Sequence, residues 1–133
     1  MPIIKKIKLF FIASFFGGCL YDSDSNKIIG DYETSWINIP KTRGINKGET
    51  LLLPYVSEIG HNSDYIIAKQ HPIKQGNKVS VYFDITNYYI IQVTSNSFQD
   101  KPVYGPLNKM SFDSLRNRLQ ITNIKFDIFY KKD

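Results

Sequence analysis

Glu58, His61, Ser63 and Asp64 fall within seven consecutive residues and include the side-chain types of a hydrolytic triad. In a triad an imidazole takes the hydroxyl proton and a carboxylate orients the imidazole. Spacing argues against assembly here, because residues this close around one hairpin turn rarely converge. His-Asn-Ser-Asp is also ordinary turn composition. The other histidine, His71, precedes Pro72, and neither histidine has ligands at metal spacing. G-x-S-x-G, H-E-x-x-H and a glycine-rich phosphate loop are all missing from the sequence. No catalytic residue, no metal and no cofactor is therefore assigned. The alternative is a small hydrolase using Glu58, His61 and Asp64.

Cys19 is the only cysteine among the 133 residues, which excludes an intramolecular disulfide framework and a multi-cysteine zinc site. What precedes it is distinctive. Lys5, Lys6 and Lys8 form a positive segment, Leu9 to Phe16 is almost wholly apolar, and Gly17-Gly18 closes the run. That order is how a secretory signal reads. From Leu9 to Leu20 there are only 12 residues, short of the ~20 that a membrane-spanning helix requires.

Phe16-Gly17-Gly18-Cys19 resembles a bacterial lipobox, with Phe16 standing where leucine is preferred. The resemblance implies cleavage before Cys19 and acylation of its thiol by palmitate-like chains. Each buried CH2 of such a chain contributes ~0.8 kcal/mol to membrane affinity. The expected location is the cell envelope, with the domain held at a membrane through its N-terminal lipid. The formal charge of +5 and pI near 9.2 point at face value to nucleic acid. Loss of residues 1–18 removes Lys5, Lys6 and Lys8 and no acid, so the charge falls to +2. Nucleic acid is accordingly not an expected partner.

Residues 19–27 read as a polar tether and 28–133 as one β-rich domain. Asp22, Asp24, Asn26 and Glu33 match some positions of a calcium loop, but Lys27 stands where that loop needs glycine. A solvated acidic spacer explains them better. From Ile28 onward the dominant period is two. Tyr32, Thr34 and Trp36 alternate with Glu33, Ser35 and Ile37; Leu51 to Val56 is an apolar run bent or placed at an edge by Pro54. Two runs flank His61-Asn62-Ser63 as a hairpin. Val79, Val81, Phe83 and Ile85 share one face, Tyr89, Ile91 and Val93 another, and Ile124, Phe126, Ile128 and Tyr130 a third. One segment reads as a helix, capped by Ser111, with Phe112, Leu115 and Leu119 as its apolar stripe. The expected fold is α+β and mostly β: an antiparallel meander of about six strands with a short C-terminal helix packed on the sheet.

Three phrases stand in order along the chain: Asp64 to Gln70 (DYIIAKQ), Tyr88 to Ile91 (YYII) and Val103 to Leu107 (VYGPL), followed by a short helix containing Phe112. The order resembles a family of small bacterial lipoproteins classed only as a domain of unknown function, over roughly Val56 to Ile121 plus the lipobox. It implies no activity. YIIA and YYII are apolar enough for central strands covered on both faces, Gly105-Pro106 reads as a turn, and Tyr104 and Leu107 as packing beneath the helix. Nine tyrosines are the compositional surplus, and Tyr82, Tyr88 and Tyr104 are the candidate binding surface. The leading expectation is a non-enzymatic module, immunity- or inhibitor-like in size and location, with an envelope protein as partner.

Overall fold

A computed structural model describes residues 23–37, 40–74, 80–94 and 102–130. Phe16, Gly17, Gly18, Cys19 and Val79 lie outside the described residues. The first sheet is a four-stranded antiparallel meander of β1 (Ser23–Ile29), β2 (Tyr32–Ile37), β3 (Gly44–Lys47) and β4 (Glu49–Leu52), with a 3-10 turn at Pro40–Thr42. The second contains β5 (Val56–His61), β6 (Tyr65–Gln70), β9 (Asn87–Gln92), β10 (Val103–Leu107) and β11 (Ile128–Phe129). Its spatial order is β10-β9-β6-β5-β11. A two-stranded ribbon, β7 (Ile73–Lys74) with β8 (Ser80–Val81), and one helix, α1 (Lys109–Leu119), complete the described elements.

Period two determines what each face of the second sheet meets. Val56, Ile59, Ile66, Ala68, Tyr89 and Ile91 point one way and pack on Ile28, Tyr32, Ile45 and Leu52 of the first sheet. Ile67 and Ile90 point the other way and pack on Phe112, Ile121 and Ile124. The molecule is thus three layers deep: sheet, sheet, helix. YIIA and YYII form β6 and β9, the central pair, and both apolar faces of each are used. Neighbouring side chains on these strands serve different cores.

The class expected from the sequence, mostly antiparallel β with one helix on the sheet, is what the chain adopts, but the layering is richer. Eleven described strands form three sheets, because a period of two marks strands without saying which sheet each joins. Ser23–Lys27, read as tether, are the first part of β1, where the polar residues Asn26 and Lys27 pair with Thr34 and Glu33. Asn26 is therefore part of a strand ladder and not of a calcium loop. Pro54 bends no single strand; it lies between β4 and β5, where the chain passes from one sheet to the other. Within residues 80–85 only Ser80–Val81 is strand, and the Ile85 N–H donates to the Tyr82 carbonyl (3.2 Å) across a turn. Gly105-Pro106 lies inside β10 at a register shift. Ser111 is not the cap: Asn108 precedes the helix, and its side chain accepts from the Ser111 N–H at 2.8 Å.

The C-terminal alternation is also broken. Ile124 and Phe126 pack with the helix, whereas Ile128 and Tyr130 pack between the sheets. The chain crosses close over β5 to make this switch. A Cβ on Gly60 would collide with the Lys125 carbonyl, so only glycine fits there. Gly105 has φ +145°, and a Cβ on it would run into the Tyr89 ring.

Candidate functional site

Strand register places one row of side chains across four strands on the helix-bearing face: Phe129 opposite Glu58, Glu58 opposite Lys69, Lys69 opposite Tyr88. The next row inward, Ile67 opposite Ile90, is sealed by Phe112. The outer row is partly open. Glu58, Lys69, Tyr88 and Phe129 line a cleft of about 360 Å³ together with Ser57, His71, Phe83, Thr86 and Tyr130.

The polar floor of the cleft is held by contacts on several sides. The Lys69 ammonium donates to Glu58 Oε2 at 3.2 Å. It also stands 4.8 Å from the Phe126 ring centre and 5.8 Å from that of Tyr88. Tyr88 is stacked on Phe112 with centroids 4.7 Å apart, and Phe112 stacks on Phe126 at 6.0 Å. His71 is buried, with Nδ1 2.9 Å from the Ile85 carbonyl. A carbonyl only accepts, so Nδ1 carries the proton. The Tyr130 wall is fixed from behind. Its hydroxyl is 2.9 Å from Thr34 Oγ1, Arg43 Nη1 donates to that same oxygen at 3.0 Å, and the guanidinium lies 4.0 Å from the ring centre.

Ser57 is the residue that departs from this pattern of satisfied groups. Val56 pairs with Gln70 and Glu58 with Lys69, so Ser57 is the extra residue of a β-bulge. The residue is 5% exposed, and its Oγ has no hydrogen-bond partner. A buried hydroxyl left without a partner costs about 1–3 kcal/mol. Among the described residues only Arg116 Nε shares that condition. The rim of the cleft is apolar: Phe129 is 66% exposed and Phe83 36%, with Tyr82 and Ile85 exposed beside Phe83 in the same turn.

The residues of the hydrolase alternative do not come together. Glu58 lies in the row with Lys69 on the helix side, whereas His61 pairs with Ile66, whose side chain belongs to the core between the sheets. The two side chains therefore leave β5 on opposite faces. His61 Nδ1 is 3.3 Å from the Asn62 carbonyl, and Asp64 is exposed in the turn, where its N–H donates to Asn62 Oδ1. The three candidate surface tyrosines lie on different elements, with Tyr88 lining the cleft and Tyr82 next to the rim residue Phe83. Tyr82 is exposed in the loop after β8, Tyr88 is half-buried in the aromatic stack, and Tyr104 is exposed on edge strand β10 opposite Ile90. Leu107 packs beneath the helix, whereas Tyr104 remains exposed. No group of three or more potential metal-binding His, Cys, Asp or Glu side chains occurs among the described residues.

Residues 21–130 match the family described as Protein of unknown function (DUF3997). The chain belongs to this family. No curated protein and no solved structure matches it. The DUF3997 match begins two residues ahead of β1 and ends at Tyr130, the wall of the cleft, so both sheets and the helix lie within it. Ser57, Lys69, His71 and Phe129 escaped notice in the sequence as site residues. Of the cleft residues, Glu58 and Tyr88 were legible as candidates, Glu58 as a carboxylate beside a hairpin turn and Tyr88 as a polar-tipped aromatic.

Proposed function

We propose that this DUF3997 protein is a lipid-anchored lipoprotein of the bacterial cell envelope, whose β-rich domain is a non-enzymatic binding module. The observation that carries the anchor is position. The lysine-rich start, the apolar run and Phe16-Gly17-Gly18 lead directly to Cys19, four residues ahead of Ser23 in β1. Acyl chains on Cys19 would hold the domain close to the bilayer, because almost no chain separates the thiol from the first strand. Binding is favoured over catalysis by the cleft on the helix side. Its rim is aromatic and its charges are already paired with one another, whereas Glu58 and His61 leave their strand on opposite faces. The expected partner is an envelope component met at the membrane surface, as an immunity or inhibitor lipoprotein would meet one.

The test is Cys19→Ala in the full chain. Detergent-phase partitioning and acyl labelling should be lost while the domain remains folded. An unchanged membrane fraction overturns the anchor.

A further inference from the structure

We propose that the cleft across β9, β6, β5 and β11, bounded by the His71 and Phe83 rings with centroids 5.4 Å apart, is a site for a small zwitterion with an apolar body, the chemistry of a free α-amino acid. This rests on the binding-module reading above and gives that module a ligand class. Glu58 and Lys69 form an internally neutral pair at 3.2 Å, each side chain about a quarter exposed. A simple anion would take Lys69 and leave Glu58 facing it, and a simple cation would do the reverse. A molecule carrying both charges a few ångströms apart aligns with the pair head to tail and satisfies both. Its carboxylate meets the Lys69 ammonium, and its ammonium meets Glu58.

Two further observations, independent of the charges, point to the same cleft. The Ser57 hydroxyl belongs to a cleft-lining bulge residue and is buried without a partner, so a side-chain rotation toward the cleft would let it donate to a ligand carboxylate or accept from an ammonium without breaking a bond in the fold. The apolar body has Phe129 and Phe83 beside it at the rim, where 66% and 36% of their surfaces are exposed. The volume of about 360 Å³ falls within the range typical of small-molecule sites, ~300–1,000 Å³. The site is also preorganised. Tyr130 is held by Thr34 and Arg43, and Lys69 by Phe126 and Tyr88.

The experiment titrates L-phenylalanine into the full chain in detergent, followed by calorimetry and amide shift perturbation. Phenethylamine and 3-phenylpropanoate, each keeping one charge, serve as comparators. Saturable binding of L-phenylalanine is expected, with shifts at Ser57, Lys69, His71 and Phe129. Each comparator should bind roughly tenfold more weakly or worse, the size of one lost charge-assisted hydrogen bond. Lys69→Met should abolish the preference for L-phenylalanine over phenethylamine. Ser57→Ala should weaken binding yet raise the melting temperature, since it removes an unpartnered buried hydroxyl. A lower melting temperature for Ser57→Ala, no saturable binding, or equal binding of all three compounds overturns the proposal. Membrane partitioning measured on the same sample keeps the anchor separate: binding can fail while Cys19-dependent partitioning persists.

Discussion

On one face of the central sheet, Ile59, Ile66, Ala68, Tyr89 and Ile91 are buried against a second sheet. On the other, an 11-residue helix seals the Ile67–Ile90 row, while Phe129, Glu58, Lys69 and Tyr88 stay partly open. A sheet covers a sheet along its whole width, whereas a single short helix covers only a stripe. The uncovered strip is where a charged pair is kept without full burial. There Lys69 holds Glu58 and rests on two rings, Ser57 has no partner, and Phe129 remains exposed. The contrast assigns stability to the sheet-covered face and to Phe112, and leaves the outer row to recognition.

The strongest way to break this division is to remove the helix anchor. Phe112 is fully buried between the Tyr88 and Phe126 rings, so Phe112→Ala should cost about 3–5 kcal/mol in urea unfolding. A loss nearer 1 kcal/mol would mean that the helix side is not a second core. Gly60→Ala comes next. The added methyl group meets the Lys125 backbone carbonyl, and the C-terminal segment must move for it to fit. About 1–3 kcal/mol is expected, with altered packing of Phe126 and Ile128 visible in side-chain spectra.

How much of this was readable in the sequence differs by level. Tyr65-Ile66-Ile67-Ala68 and Tyr88-Tyr89-Ile90-Ile91 announce central strands because consecutive apolar residues need cover on both sides. Phe112, Leu115 and Leu119 likewise declare one helix face, and all three pack against the sheet. What stayed hidden depends on register. Ser57 becomes a buried orphan only because β5 bulges against β6, and nothing in Val56-Ser57-Glu58 marks a bulge. Ile124 to Tyr130 reads as one alternating strand, yet the close crossing over Gly60 sends its two halves to different cores. Asn108 and Ser111 are both good caps, and only the observed start of the helix chooses between them.

Two tyrosines allow the sheet-covered face to be probed by pH. Burial pushes the Tyr32 hydroxyl up, but hydrogen bonds with Thr94 and the nearby Lys47 ammonium pull it below its ordinary value of 10.0. Burial alone raises Tyr89. A lowered tyrosine favours the ionised form in the folded state. Its extra stability is present above the unfolded value and lost as pH falls through the folded one. A raised tyrosine does the opposite, stabilising below the unfolded value and losing that contribution as pH rises through the folded one. Between about pH 9 and 11, wild-type stability relative to Tyr32→Phe should therefore rise with pH. Relative to Tyr89→Phe it should fall. Parallel slopes would show that the Thr94–Lys47 contacts do not act on Tyr32.

The outer row should respond weakly to the same denaturation assays. Glu58→Gln removes a partly exposed ion pair and is expected to change stability by no more than about 1 kcal/mol. The smallest effect, and the finest test of the division, is at β11. Ile128 and Phe129 are adjacent, but Ile128 packs into the core between the sheets while Phe129 is 66% exposed at the cleft. Ile128→Ala should cost at least about 1 kcal/mol, since the packing of a partly buried side chain is lost. Phe129→Ala should stay within about 0.5 kcal/mol of wild type despite deleting the larger side chain. Size alone would rank these two substitutions the other way round, so the order depends on which face each residue occupies. If Phe129→Ala proves the more damaging, its ring is part of the fold, and the open row begins only at Glu58.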